Sequence, residues 1–188
     1  MVELANGTIL DGGLAILGTG VRPATAFIDS SMLERDGSLK VDANMHVMKA
    51  PENIFAAGDI ASFPYKGQDN HIRVEHWRVA EQLGICAAKN MCGQKCEFDG
   101  IPLFWTDQFD INLCYVGYSK FHNEVFVDGN PEEDFIAFYV KGNKIEAVAG
   151  KWRDADMCAI EERMKKGNMP SADKIKNGFR EWQDFSSC

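Results

Sequence analysis

Two short apolar runs stand out in the first half of the chain, at residues 14–17 and 54–57. Continuous runs of this length are typical of strands that are buried on both faces of a sheet. Glycine-containing segments end both runs, at Gly18 and at Gly58. We therefore predict that this half of the chain is an α/β unit with doubly covered strands.

A polar loop over residues 61–72 and then the longest helix of the chain, over residues 73–91, are predicted to follow. Apolar or small residues recur along the helix at steps of three and four, which defines one apolar face. Several of them are small, so this face can approach a sheet closely. The members of the predicted face are Trp77, Ala80, Gly84, Ala87 and Met91.

Beyond residue 95 the pattern changes to short alternating segments, which indicate an antiparallel sheet. Five strands are predicted, and the last two are joined by the two-residue turn Gly142-Asn143. Two helices follow, which end at Gly167 and Gly178. The strands are predicted at residues 104–109, 112–118, 124–128, 135–140 and 144–149. The first helix is capped by Asp154 or Asp156 and stopped by Gly167, and the second spans residues 171–177.

Charge and composition exclude several classes of function. The chain has a formal net charge of −8, with 45% hydrophobic and 26% charged residues, as a globular domain has. Binding to nucleic acid or to an anionic membrane needs clustered lysine and arginine, and the basic clusters here are short. No apolar run reaches the roughly 18–20 residues that cross a bilayer. We expect neither a nucleic-acid partner nor a membrane span.

The cysteines indicate an intracellular protein without a metal site. The chain has six of them, and none forms a Cys-x-x-Cys pair. Cys92 and Cys96 lack a second pair of cysteine or histidine at zinc-binding spacing. Scattered reduced thiols are typical of intracellular proteins, and residues 1–7 lack the basic and apolar regions of a signal peptide.

The strongest candidate for chemistry is the segment of residues 51–59. An apolar run leads directly into Gly58 and Asp59, which places a carboxylate at the end of a buried strand, where α/β sheets bind ligands. Gly58 allows close approach of the backbone to a ligand, and Asp59 can accept hydrogen bonds from sugar-like hydroxyl groups. From these residues alone, a plain turn is an equally good interpretation.

Residues 51–59 resemble the second FAD-binding motif of the two-dinucleotide-domain flavoprotein reductases. In that family the aspartate binds the ribityl chain of the flavin, which implies the same role for Asp59. The segment 18–23, Gly-Thr-Gly-Val-Arg-Pro, looks like the one that closes the family's NAD-binding domain, although Ala24 replaces the usual asparagine. It is not a phosphate-binding Gly-x-Gly-x-x-Gly loop, because its sixth position is Pro23.

Two further segments, residues 73–77 and 104–108, are similar to the ferredoxin-reductase and apoptosis-inducing-factor-like branches of this family. There the first segment lies along the isoalloxazine ring, and the second presents a tryptophan near it. The resemblance implies a cofactor-binding set of Gly58, Asp59, Glu75, His76, Trp77 and Trp105.

The flavin itself carries out hydride chemistry, so no catalytic residue is predicted. A helix that begins near Val74 offers free N–H groups and a partial positive charge of ~0.5 to the flavin ring. Trp105 offers a flat apolar surface. We expect Glu75 and His76 to act through backbone contacts or as ion partners.

The resemblance also implies the domain organisation. Residues 1–22 would form the end of the NAD-binding domain and the strand that returns the chain to the FAD-binding domain. Residues 23–95 would form the C-terminal half of the FAD-binding domain, an α/β remnant. Residues 96–188 would form a small α+β reductase C-terminal or dimerisation domain, with the five-stranded antiparallel sheet and terminal helices.

The Gly-x-Gly-x-x-Gly loops that hold the pyrophosphates of FAD and NAD are absent. We therefore expect the 188 residues to be the inactive C-terminal part of a longer reductase.

Such an enzyme would pass electrons from NAD(P)H through FAD to an iron–sulfur protein, or to a small-molecule acceptor such as a quinone or oxygen. The alternative is a non-catalytic interaction module of the apoptosis-inducing-factor-like type, in which the terminal domain forms a homodimer or binds another protein. The resemblance further implies a mitochondrial location.

Overall fold

The computed structural model describes residues 1–66 and 70–180. Short 3-10 turns occupy Ser30–Met32 and Gly58–Ile60. The strands of the first half are β1 (Val2–Glu3), β2 (Ile9–Leu10), β3 (Leu39–Lys40), β4 (Ala61–Pro64) and β5 (His71–Ile72), and its helix is α1 (Trp77–Met91). The second half contains β6 (Leu103–Gln108), β7 (Ile111–Gly117), β8 (Glu124–Gly129), β9 (Phe135–Lys141), β10 (Lys144–Lys151), α2 (Asp154–Lys166) and α3 (Ala172–Lys176).

The first apolar run is not a strand. Leu14, Ile16 and Leu17 are exposed, and residues 14–17 have no regular secondary structure. An apolar run becomes a buried strand only when neighbouring strands pair with it, and no described segment of this chain does so. Upstream of it, β1 and β2 form a small antiparallel pair.

The second apolar run makes one bridge rather than a strand. Phe55 pairs with His46 as an isolated bridge, and the Ala56 amide donates to the carbonyl oxygen of Met45 over 3.1 Å. Ala56 is buried, whereas Ile54 is exposed. The prediction of a strand buried on both faces was therefore wrong, because this segment lies at the border of the core.

The predicted polar loop over residues 61–72 instead contains strands at both ends, and its residues 67–69 lie outside the described part of the chain. β4 lies between β3 and β5, parallel to the first and antiparallel to the second. Phe63 and Ile72 face each other across β4 and β5 and are both buried. The strand pattern of residues 61–65 is too short to be recognised from the sequence alone. Pro64 lies within it and Asn70 lies close behind it.

Helix α1 buries a face that shares only Ala87 with the predicted one. It begins at Trp77, and residues 73–76 are not helical. Its buried stripe consists of Val79, Leu83, Cys86 and Ala87, which also satisfies helical spacing. The side of the helix that carries Ala80 instead lies against Gly58, and the two ends of the predicted face, Trp77 and Met91, are exposed.

The second half confirms the predicted sheet. Its five strands are antiparallel and lie in the order β6-β7-β10-β9-β8. The turn at Gly142 joins β9 to β10 as expected, and α2 ends at Gly167 with a left-handed φ of 70°. Helix α2 packs on one face of the sheet, with Met157 against Gly150 and Met164 near Gly117.

The two halves share one continuous core. Arg78 on α1 donates to Glu161 on α2 over 3.0 Å and to the carbonyl oxygen of Leu103 over 3.4 Å. These bonds hold the start of α1 against β6, which places the candidate site at the junction. No helix in the described ranges is long and apolar enough to cross a membrane.

Candidate functional site

The turn at Gly58 and Asp59 lies beside the first turns of α1. Gly58 has a φ of +78°, in the left-handed region that favours glycine. A Cβ at this position would lie 3.6 Å from the Cβ of Ala80. Asp59 is exposed, so the turn presents a carboxylate to solvent next to the start of a helix.

Arg73 ties this turn to the segment that precedes α1. Its Nη1 donates to the Glu75 carboxylate and, over 3.4 Å, to the backbone oxygen of Asp59. Its Nε lies 3.4 Å from a carboxylate oxygen of Asp36. Burial works against the charged guanidinium, but Glu75 and Asp36 outweigh it, and the pKa of Arg73 is raised. Glu75 is therefore an ion partner, as expected, and Arg73 is a structural residue that the sequence analysis missed.

His76 caps α1. Its backbone is extended, and its Nδ1 accepts a hydrogen bond from the amide of Arg78 over 3.3 Å. The positive end of the helix dipole therefore lies at Trp77 rather than near Val74. Burial and the charge of Arg78 lower the pKa of His76, whereas the nearby Asp59 carboxylate acts in the opposite direction.

Aromatic rings from α1 and β6 meet around His76. Its ring centroid lies 5.7 Å from Trp77, 5.5 Å from Phe104 and 6.1 Å from Trp105. The two indoles lie 6.0 Å apart and are nearly perpendicular. Trp77 is 62% exposed and Trp105 43% exposed, so both present apolar surface to solvent at the same place as Asp59.

All six residues of the predicted set thus gather at the start of α1. Phe104, which lies between His76 and Tyr115, was not predicted as a site residue. The Phe104 and Tyr115 rings stack at 5.1 Å, and burial raises the pKa of Tyr115 to about 12. Side chains alternate along a strand, so Phe104 and Trp105 lie on opposite faces of β6. Their rings both lie near the ring of His76 because His76 sits beside this edge strand.

This set of groups fits one end of a flavin cofactor. An exposed carboxylate accepts hydrogen bonds from hydroxyl groups, a helix N-terminus offers N–H groups, and exposed indoles can contact a flat ring. The described residues contain no group of three or more histidine, cysteine or acidic side chains placed to bind a metal ion. The site therefore suits the ring and ribityl portion of FAD, and within residues 1–66 and 70–180 it contains no loop for a pyrophosphate.

The cap predicts a specific pH dependence. Because folding lowers the pKa of His76, the unfolded chain binds more protons between the folded pKa and the unfolded value of about 6.5. The free energy of unfolding should therefore fall as the pH is lowered through this window. The variant His76→Asn retains a capping side chain but does not titrate, so its urea midpoint should fall less between pH 7.5 and 5.5. An identical pH dependence in both proteins would contradict this role of His76.

Two protein families match the chain. Residues 1–84 match the family described as pyridine nucleotide-disulphide oxidoreductase. Residues 103–180 match the family described as reductase C-terminal. These ranges correspond to the two halves of the fold, and Trp105 lies at the start of the second range.

Curated relatives agree with these families. The chain is 32% identical to apoptosis-inducing factor 3 of Mus musculus over 168 residues, which cover 88% of this chain and 28% of that protein. It is 31% identical to putidaredoxin reductase of Pseudomonas putida over 144 residues, which cover 76% of this chain and 34% of that protein. The chain therefore spans about a third of the length of these two relatives.

Solved structures support the fold. A ferredoxin reductase from Rhodopseudomonas palustris superposes with a TM-score of 0.81 at 26% identity, over 92% of this chain and 42% of that one. The covalent putidaredoxin reductase–putidaredoxin complex gives a TM-score of 0.78 at 28% identity, over 88% of this chain and 39% of the matched chain. The fold described above is therefore shared with less than half of each of these reductase chains.

Proposed function

Because the chain belongs to the pyridine nucleotide-disulphide oxidoreductases, in the branch that carries a reductase C-terminal domain, we propose that it holds the flavin end of FAD in an NAD(P)H-dependent oxidoreductase. The family uses FAD and NAD(P)H. We further propose that the chain divides at residues 22 and 95, into the end of an NAD-binding domain, half of an FAD-binding domain and a C-terminal domain.

The observation that carries this proposal is the convergence of Asp59, Trp77 and Trp105 at the start of α1. The two indoles are exposed although apolar side chains of this size usually bury much of their surface. The two family matches meet at this place: Asp59 and Trp77 lie in the first, and Trp105 lies in the second. A cofactor that binds between the two halves of the chain is expected to contact residues of both halves.

FAD, when bound, supplies the hydride chemistry. The residues of this chain would bind and orient it. The Asp59 carboxylate would accept hydrogen bonds from ribityl hydroxyl groups, and Arg73 holds the backbone of that turn in place. The amides at the start of α1 would stabilise negative charge on the ring. The indoles of Trp77 and Trp105 would cover the ring and exclude water from it.

The electron acceptor in this proposal is an iron–sulfur protein. Several relatives are named ferredoxin reductases, and one solved structure is a complex with putidaredoxin. Other relatives are named monodehydroascorbate reductases, so a small-molecule acceptor is the competing possibility within the same family. Steady-state reduction of a purified ferredoxin and of monodehydroascorbate by the same preparation distinguishes the two.

The decisive experiment uses native protein, captured from its source with an antibody against the C-terminal domain. Its intact mass and visible spectrum are measured together. We expect a chain much heavier than the 21.0 kDa of this sequence, with a flavin absorption band. A folded, colourless chain of 21.0 kDa would contradict the enzymatic role and would favour a non-catalytic interaction module.

A further inference from the structure

One end of the five-stranded sheet carries exposed apolar side chains. At this end β6, β8 and β10 finish and β7 and β9 begin. Phe109 is fully exposed in the turn between β6 and β7, Ile111 is 51% exposed, and Trp152 directly after β10 is 53% exposed. We call these three residues the apolar cluster.

Two members of the apolar cluster have an unusual backbone conformation. Phe109 and Trp152 have φ values of +54° and +57°, a region that bulky non-glycine residues rarely adopt. The described chain has one other such residue, Met45, and that side chain is completely buried. Burial in the core offsets the strain at Met45, whereas the aromatic side chains of Phe109 and Trp152 remain in solvent.

Carboxylates surround the apolar cluster. Asp107 lies two residues before Phe109, Asp110 directly follows it, and Asp154 lies two residues after Trp152. The turn between β8 and β9 contributes residues 132–134, which are all acidic. We call these residues the acidic rim. The chain therefore combines an apolar centre with a negative border, which is the arrangement of a protein-binding surface with a polar rim.

Basic side chains at this end offset only part of the charge of the six carboxylates of the rim. Arg153 is shared between Asp134, at 3.3 Å, and Asp156, at 2.6 Å. The ammonium group of Lys151 donates to backbone oxygens of the 131–132 turn, over 3.2 and 2.7 Å. At the opposite end of the sheet the charge is reversed, because Lys120, Lys141 and Lys144 lie there.

We propose that the apolar cluster and its acidic rim dock a protein whose contact surface is basic around an apolar centre. Nucleic acid and anionic membranes are repelled by the rim. The three apolar side chains expose a few hundred Å² at most, and a stable interface buries about 800 Å² per partner. The partner must therefore also cover the rim, where lysine and arginine pair with the carboxylates and speed association.

The position of this surface links it to the candidate site. Trp105 and Phe109 are four positions apart along β6 and its turn, a distance of about 13 Å in extended chain. A protein docked on the apolar cluster lies next to the aromatic group around His76. The docking itself does not depend on bound flavin, so it can be tested whether or not the proposed function holds.

The test measures binding of the full chain to two immobilised probes, cytochrome c as a lysine-rich protein and a plant-type [2Fe–2S] ferredoxin as an acidic one. Binding to cytochrome c should be at least tenfold tighter and should weaken as salt is raised from 50 to 300 mM, since exposed charges are screened over about 10 Å at 0.1 M salt. Tighter binding to the acidic ferredoxin would overturn the proposal.

Variants separate this surface from general electrostatics. Phe109→Asn with Trp152→Asn should weaken cytochrome c binding at least tenfold, and asparagine tolerates positive φ, so folding is preserved. Asp110→Lys with Glu133→Lys should have a similar effect. The matched controls are Phe121→Asn and Glu97→Lys, exposed positions elsewhere, and they should bind as the unchanged chain does.

Two results contradict the proposal. One is equal binding by the cluster variants and the controls. The other is self-association of the unchanged chain in sedimentation velocity that the double variant Phe109→Asn, Trp152→Asn abolishes. In that case a second copy of this chain would cover the apolar cluster with the basic opposite end of its sheet.

Discussion

Replacing Phe138 with alanine is expected to lower the free energy of unfolding by about 3–5 kcal/mol, the cost of deleting a buried phenyl ring. Phe138 is completely buried and lies on β9, the strand between β8 and β10. Its ring stacks on Phe126 at 4.8 Å and pairs across the sheet with Val148. The substitution would therefore leave a cavity in the buried core, between β8 and β10.

Urea unfolding followed by circular dichroism measures this change. The matched control is Phe121→Ala, which removes the same ring from an exposed position and should change stability by no more than about 0.5 kcal/mol. Similar losses in the two variants would mean that the sheet does not have the register described here. The result also matters for the site, because β6 carries Trp105 on the same sheet.

Replacing Asp59 with alanine is expected to weaken FAD binding by about ten- to more than a hundredfold. This range corresponds to the roughly 1.5–3 kcal/mol of hydrogen bonds to a charged acceptor. The fold should be unchanged, because Asp59 is exposed and its backbone oxygen still accepts from Arg73. The dissociation constant is measured by fluorescence titration of FAD into the deflavinated full-length protein.

Asp99→Ala serves as the matched control, since it removes an exposed carboxylate from the segment between α1 and β6 and should leave FAD affinity unchanged. Asp59→Asn keeps an acceptor without the charge and should give an intermediate affinity. If Asp59→Ala retained FAD as tightly as the unchanged protein, the Gly-Asp turn would be structural and the ribityl chain would have to be bound elsewhere.

The second half of the fold could be predicted from local sequence patterns. Strands β6 to β10 follow from local alternation, and the turn at Gly142 is specified by its own two residues. The glycine stop of α2 is equally local. Neighbouring strands of this sheet are also close in the chain, so little long-range information is needed to pair most of them. The candidate site residues were found by resemblance of short motifs, not by periodicity.

The remaining features depend on contacts between segments that are distant in the chain. Two stripes of α1 have helical spacing, one through Trp77 and one through Val79, and packing against the core selected the second. Strands β4 and β5 could not be recognised locally because their pairing with each other and with β3 supplies most of their stabilisation. The run at residues 14–17 has strand-like composition but no described partner. His76 and Trp105 are 29 positions apart in the chain, and they meet because Arg78 holds the start of α1 against Leu103 and Glu161.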